Sequence, residues 1–247
     1  MAYQSIFKRY ELKYMLTSEQ KQKILTAIEP YMCRDEYGMR TTIRNIYFDT
    51  DNYRLIRASI EKPIYKEKLR IRSYEQATSE SKVFVELKKK YEHVVYKRRT
   101  SLLEKDAMMW LCKGVMPEKS KKQQITNEIE YFRQFYNGLK PSVFLTYERE
   151  AFCTRIPSDF RVTFDENVLF RKTDISLQSD IYGTPLLDEG KTLMEIKCSG
   201  GIPLWMVEVL SKEKIYKTSF SKYGTAYTNF ILTNLKNNDE KVELLTL

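Results

Sequence analysis

The sequence predicts an α+β fold: antiparallel strands curled into a polar-lined barrel, with amphipathic helices packed against its outside. The first observation is an alternation of charged and apolar residues, clearest in Lys68-Leu69-Arg70-Ile71-Arg72. Side chains in a strand point to opposite faces with period two, so one face of this strand is cationic and the other aliphatic. The second is that the pattern recurs with a consistent sign. Glu11-Leu12-Lys13, Glu86-Leu87-Lys88, Lys97-Arg98-Arg99, Tyr147-Glu148-Arg149, Arg161-Val162-Thr163 and Glu195-Ile196-Lys197 all carry it, and Lys and Arg dominate the polar face. The third is a set of helical segments with recognisable ends lying between the strands. No internal repeat or linker composition divides the chain, so residues 1–247 read as one domain with a core over about 6–236 and a polar tail.

The elements follow in order. A first strand over about 7–14 leads to a helix that Thr17 or Ser18 caps and that ends near Pro30. Strands are expected near 43–49, 64–74, 82–90 and 93–101, with 75–81 as a polar hairpin loop. A helix from about 104 to 113 stops at Gly114, a suitable residue for the left-handed position after a helix. A basic linker over 117–122 precedes a helix at about 123–137, which stops at Gly138. Strands resume at 142–153, 160–165 and 191–198. Pro203 suits the first turn of a helix over 203–212, and a last helix covers about 220–236.

Composition bounds the chemistry. A net charge of +9 on 247 residues favours anionic ligands. The only histidine is His93, which excludes a zinc site needing two histidines and leaves little basis for a Ser-His or Cys-His nucleophile. His93 itself reads as an ordinary turn or strand residue. The four cysteines, Cys33, Cys112, Cys153 and Cys198, are scattered and form no CxxC pair. With no signal peptide or apolar spanning run expected, the reading is a cytoplasmic protein that would need recruitment to act at the inner face of a membrane.

Outward packing of Leu69, Ile71, Val83, Val85, Leu87, Val162, Phe164, Met194 and Ile196 against the helices would turn the charged faces inward. Small barrels are usually filled by apolar side chains. Like charges in an interior repel and are costly to desolvate unless carboxylates, water or a bound anion offset them. Such an interior points to a site for a polyanion.

The ordered segments resemble the catalytic domain of the vacuolar transporter chaperone (VTC) family, within the triphosphate tunnel metalloenzymes. The segments are Arg9-Tyr10-Glu11-Leu12-Lys13-Tyr14, Ile46-Tyr47-Phe48-Asp49-Thr50, Lys68-Leu69-Arg70-Ile71-Arg72-Ser73-Tyr74 and Phe84-Val85-Glu86-Leu87-Lys88. Lys97-Arg98-Arg99, Tyr147-Glu148-Arg149-Glu150-Ala151-Phe152, Arg161-Val162-Thr163-Phe164-Asp165, Met194-Glu195-Ile196-Lys197 and Phe220-Ser221-Lys222-Tyr223 complete the set. It spans about residues 6–230.

The resemblance implies a tunnel holding a nucleoside triphosphate or polyphosphate. By position, Arg70, Arg72, Lys88, Arg149, Arg161 and Lys197 would act on the reacting phosphates. Lys13, Lys97, Arg99, Tyr147, Ser221 and Lys222 would bind the substrate. A guanidinium bonds two phosphate oxygens at once, whereas an ammonium acts as a compact point charge. Glu195, with Glu11 as a second candidate, would hold Mn²⁺ or Mg²⁺. Two positions depart from the family pattern. Arg9 stands where many tunnel enzymes have a first-strand Glu, which favours the VTC branch over the triphosphatases. Ser219 stands where the family often has Lys, with Lys217 two residues earlier.

The expected activity is a polyphosphate polymerase that moves the γ-phosphate of ATP, or of another nucleoside triphosphate, onto a polyphosphate or pyrophosphate end. Its rivals are a hydrolase of the same fold and a non-catalytic polyphosphate-binding module. Nucleic acid is disfavoured, because the cations sit on alternating strand faces and not in an exposed patch with stacking aromatics. A separate membrane-protein partner is a further expectation, since the family's eukaryotic members work with membrane segments.

Overall fold

A computed structural model describes residues 10–35, 40–92, 94–117, 123–156 and 158–233. Phe7, Lys8, Arg9, His93, most of the basic linker and the polar tail lie outside them. In chain order the elements begin β1 (Tyr10–Thr17), α1 (Ser18–Ile28), β2 (Met32–Arg34), β3 (Thr41–Asp49) and α2 (Arg54–Ile60). They continue with β4 (Tyr65–Tyr74), β5 (Lys82–Tyr91), β6 (Val94–Leu103), α3 (Glu104–Lys113), α4 (Gln123–Phe135) and β7 (Lys140–Thr154). The last are β8 (Arg161–Arg171), β9 (Thr184–Pro185), β10 (Lys191–Cys198), α5 (Leu204–Lys212), β11 (Lys217–Thr218), α6 (Lys222–Ala226) and a π-helical turn, Tyr227–Ile231.

The helix ends follow the local chemistry. Thr17 and Gln20 form a reciprocal capping box at α1, which satisfies two otherwise unpaired N–H groups. Gly114 closes α3 with φ 77°, a left-handed conformation that a Cβ would penalise. Asp49 starts α2: its carboxylate accepts from the N–H groups of Leu55 and Ile56 at 2.9 and 3.0 Å.

All strands belong to one antiparallel sheet ordered β11-β1-β10-β8-β7-β3-β4-β5-β6, with β2 on β7 and β9 on β8. Among the described residues the backbone ladder does not close, so the structure corrects the expected barrel to a strongly curled sheet. Side chains bridge its two ends. Lys88 of β5 donates to the Glu11 carboxylate of β1 at 2.8 and 2.9 Å, and Lys68 of β4 donates to Ser221 at 3.0 Å.

The outer face is aliphatic and covered. Leu69, Ile71, Val83, Val85 and Leu87 pack with Trp110 of α3 and with Ile129 and Phe132 of α4. Val162, Phe164, Met194 and Ile196 pack with Ile24 and Ile28 of α1 and with Met206 and Leu210 of α5. Burying such a side chain stabilises by roughly 1.5–3 kcal/mol, and this fixes which face of each strand turns inward. A third apolar cluster fills part of the interior. There Tyr223, Ala226, Tyr227 and Ile231 meet Ile43 and Tyr47 of β3 and Val143, Leu145 and Tyr147 of β7.

A bulge at Asn167, where φ is 49°, shifts the phase of β8. Asp165 before it and Val168 after it therefore both face the interior. The short elements β2, α2, β9 and β11 carry too few periodic residues for the sequence pattern to expose them. The last predicted helix is shorter in its regular α part, and it continues through the π-helical turn.

Candidate polyanion site in the curled sheet

The interior above the apolar plug is built from inward-facing positions of β1, β4, β5, β6, β7, β8 and β10, together with the start of α6. It gathers Lys13, Lys68, Arg70, Arg72, Lys88, Lys97, Arg99, Arg149, Lys197 and Lys222 around the carboxylates Glu11, Glu86, Asp165 and Glu195. Cations therefore outnumber carboxylates by more than two to one.

Glu86 is the hub on the β4–β6 side. It is 1 % exposed and meets Arg70 at 2.8 Å, Lys97 at 2.6 Å, Arg99 at 3.3 Å and Arg72 at 3.9 Å. Burial alone would raise its carboxyl, but Arg72, Arg70 and Lys97 outweigh that and hold it well below the usual range. Hydroxyls and an amide fix the two guanidinium groups further. Arg70 donates to the Tyr47 hydroxyl at 2.9 Å, and Arg72 donates to Asn45 Oδ1 and the Tyr147 hydroxyl at 3.0 Å each.

Asp165 is the hub on the opposite side. Arg149 grips it with two nitrogens at 2.5 and 2.6 Å, and Lys222 lies 2.5 Å from Oδ2. The Lys222 ammonium is raised: burial lowers it, but Asp165 and Glu195 more than compensate. Its backbone is tied down next door, where the Tyr223 hydroxyl donates to Asp49 at 2.9 Å. The Tyr47–Asp49 and Ser221–Tyr223 segments thus meet in space and place Lys222.

Glu195 is held more loosely, with Lys197 at 3.2 Å, Arg149 at 3.5 Å, and Lys13 and Lys222 at 3.6 Å. Glu11 is held at about 2, because Lys88 and Lys197 outweigh the effect of burial. Burial lowers the Lys13 and Lys197 ammonium groups. Lys68 is pushed down to about 7 by burial and by repulsion from Lys13, Lys88, Lys66 and Arg70. Lys97 also falls to about 7; burial is the main cause, and Glu86 offsets it only in part. Burial and mutual repulsion thus disfavour the charged forms of Lys68 and Lys97, and an incoming polyanion would favour them.

Glu195 and Glu11 lie on adjacent strands of the same face, Glu11 opposite Lys197 and Glu195 opposite Lys13 in register. Next to them Thr163 faces Glu195, and its hydroxyl is buried with no hydrogen-bond partner among the described residues. This all-oxygen donor set suits a hard divalent cation. No cluster of three or more His, Cys, Asp or Glu side chains forms a metal cage among the described residues. Water and phosphate oxygens would have to complete any coordination sphere.

Of the positions expected from sequence, Lys13, Arg70, Arg72, Lys88, Lys97, Arg99, Tyr147, Arg149, Glu195, Lys197, Lys222 and Glu11 converge here. Ser221 caps α6 and accepts from Lys68. Arg161 has the same inward parity but stands at the rim, half-exposed and 3.8 Å from Asp35. Lys217 is opposite Tyr14 in register, whereas Thr218 is opposite Lys13. It is exposed and lies on the face away from the cluster. Lys68 and Asp165 were not among the expected site residues. Their signal was present as strand parity with Arg70 and Arg161.

The geometry defines a class before it defines a family. A candidate adenylate cyclase from Bacillus halodurans superimposes with a TM-score of 0.54 at 15% identity, over 88% of this chain and 96% of that one. A candidate adenylyl cyclase from Hippeastrum, described as having a dominant triphosphatase activity, superimposes with a TM-score of 0.53 at 18% identity, over 90% and 96%. At these identities the likeness is one of fold, and the fold is that of the triphosphate tunnel proteins. The VTC domain model matches residues 8–231, and the chain belongs to the VTC domain family. No curated protein sequence matches it.

Proposed function

We propose that this protein is a metal-dependent polyphosphate polymerase, which transfers the γ-phosphoryl group of ATP to the end of a polyphosphate chain held inside the curled sheet. The observation that carries the reading is the buried excess of cations over carboxylates, converging from seven strands and one helix. Phosphoryl transfer needs positioning and charge stabilisation more than covalent chemistry from the protein. A terminal oxygen of the acceptor attacks the γ-phosphorus, a new P–O–P link forms, the bond to the β-phosphate oxygen breaks, and ADP leaves.

The acceptor oxygen is already ionised, so the step needs no histidine as a general base. Arg70, Arg72, Lys88, Arg149, Arg161 and Lys197 would neutralise charge on the transferring group. Lys13, Lys97, Arg99, Tyr147, Ser221 and Lys222 would hold the flanking phosphates. Glu195 and Glu11 would hold Mn²⁺ or Mg²⁺, which supplies Lewis-acid stabilisation of phosphate oxygens. Among the described residues no helix is long and apolar enough to cross a membrane. Action in the cytoplasm, with a separate membrane protein as partner, completes the proposal.

The test is incubation of the purified protein with ATP and Mn²⁺, with and without pyrophosphate, followed by a gel stained for polyphosphate. A ladder of long chains, lost in Arg70→Ala and Glu195→Gln, is expected. Orthophosphate alone would make the protein a hydrolase. Tight polyphosphate binding without turnover would make it a binding module.

A further inference from the structure

Two thiols that the phosphate site does not use stand together at one end of the sheet. Cys33 of β2 and Cys153 of β7 are directly opposed across an antiparallel pair, with their Sγ atoms 3.8 Å apart. Two residues to either side, Asp35 N donates to Ala151 O at 2.9 Å and Arg155 N donates to Tyr31 O at 3.0 Å. Hydrogen-bonded positions alternate along an antiparallel ladder, so the cysteines occupy one of them. Cα separations at such positions are ~5.5 Å, within the ~4.4–6.8 Å range of disulfides. Side-chain rotation with a small approach of the short β2 toward β7 would bring the sulfurs together, since opposed Cβ atoms stand ~4.5–5.5 Å apart across a ladder and ~3.5–4.5 Å in a disulfide. Both thiols are half-buried and within reach of a small oxidant, whereas Cys198 is buried and Cys112 is exposed.

Their position gives the pair a role. Cys153 shares the inward parity of Arg149. Arg161 is opposite Cys153, Lys197 is opposite Arg161, and Glu11 is opposite Lys197. The cysteines therefore extend a single row that crosses the interior face to the phosphate site, and they mark its rim. The three-residue β2 leads directly to Asp35, the partner of Arg161 at 3.8 Å.

We propose that Cys33 and Cys153 are a redox-closable latch at this rim, oxidised by hydrogen peroxide. The two thiols lose two protons and two electrons as the S–S bond forms. The peroxide O–O bond breaks, and both oxygens leave as water. A dithiol reductant reverses the step. Closure fixes β2 to β7 covalently and holds the segment bearing Asp35 against Arg161. In the reduced form the ladder bonds of a short strand, the packing of Met32 and the Arg34–Glu150 ion pair at 3.4 Å hold it without a covalent tie. Burial and the neighbouring Cys33 push the Cys153 thiol up, Asp35 acts in the same direction, and Arg161 acts against them. Closure therefore speeds up as pH rises above neutral, since the thiolate is the attacking species.

The test uses the full chain carrying Cys112→Ser, which removes the exposed thiol and its intermolecular chemistry. After treatment with hydrogen peroxide, free thiols are counted in denaturant and peptides are mapped without reductant. The expected result is a drop from three thiols to one, a linked peptide containing Cys33 and Cys153, and a Tm rise of about 5 °C or more that dithiothreitol reverses. Adding Cys153→Ala should abolish all three changes. The linked peptide is read on the chain with the pair intact, so the result does not depend on how the Cys153→Ala variant folds. Retention of three thiols, or their loss without a linked peptide, would overturn the latch.

Discussion

The two faces of β7 and β8 carry charge to opposite ends. On the outer face, Glu148, Glu150 and Glu166 meet Lys21, Arg34 and Arg40 in equal number. Lys21 lies 2.8 Å from both Glu150 and Glu166, Arg34 lies 3.4 Å from Glu150, and Arg40 lies 2.7 Å from Glu148 and also pairs with Glu166. On the inner face of the same strands, Arg149 and Asp165 join a cluster in which cations far outnumber carboxylates. The balanced cluster satisfies itself and pins α1 to the sheet. The unbalanced one leaves positive charge buried, which costs stability unless an anion arrives. What identifies a site is therefore the mismatch of charge, and not the mere presence of buried ions.

The largest effect that would sharpen this contrast is expected at Glu86. Glu86→Gln removes the carboxylate shared by Arg70, Lys97 and Arg99 and should destabilise the free protein by about 3–5 kcal/mol in urea unfolding. Glu150→Gln on the outer face should cost only about 1 kcal/mol. Saturating tripolyphosphate should recover part of the first loss and none of the second. Next in size, Arg70→Ala should weaken tripolyphosphate binding about 10–100-fold, the worth of a charge-assisted bidentate contact. Lys21→Met should leave the affinity unchanged. Equal losses in the two variants would break the contrast.

A smaller effect concerns pH. Lys68 and Lys97 fall to about 7 in the folded chain from an ordinary lysine value of 10.5. Between about pH 7 and 10.5 the unfolded chain thus binds more protons than the folded one, and the stability of the free protein should rise with pH across that window. The penalty is fully present below about 7. Polyanion binding has the opposite sign: these lysines lose their charge above about 7, so tripolyphosphate should bind more weakly as pH rises. Lys68→Met should flatten that dependence, which calorimetry at pH 6 and pH 8.5 would detect. The smallest expected effect is at Lys217, on the outward face, where Lys217→Ala should change affinity by less than about twofold.

The inner face was legible because strand parity is written in the sequence. Arg70 and Arg72, or Glu195 and Lys197, could be assigned to one face from their spacing alone. Partnership was not legible, because it depends on register and on how far the sheet curls. Glu86 and Lys88 share a strand face two residues apart, yet they do not pair with each other. Instead Lys88 reaches Glu11, 77 residues away in sequence, and Glu86 takes cations from both neighbouring strands. Arg161 has the right parity on an end rung, so spacing placed it on the correct face and could not show that it stands at the rim. The bulge at Asn167 rests on one residue with positive φ, for which the alternation gives no cue. It is what lets β8 present Asp165 to the charged cluster and Val168 to the apolar plug.

The most direct measurement is a calorimetric titration with tripolyphosphate of two double variants, Arg70→Ala/Lys222→Ala on the inner face and Arg34→Ala/Arg40→Ala on the outer. Each removes two positive charges, so the chains have the same net charge. If the buried mismatch is the site, the inner variant loses affinity by about 100-fold or more and the outer one binds as the wild type does. Equal weakening in both would show that the overall positive charge holds the polyanion, and would contradict the assignment of the interior as its site.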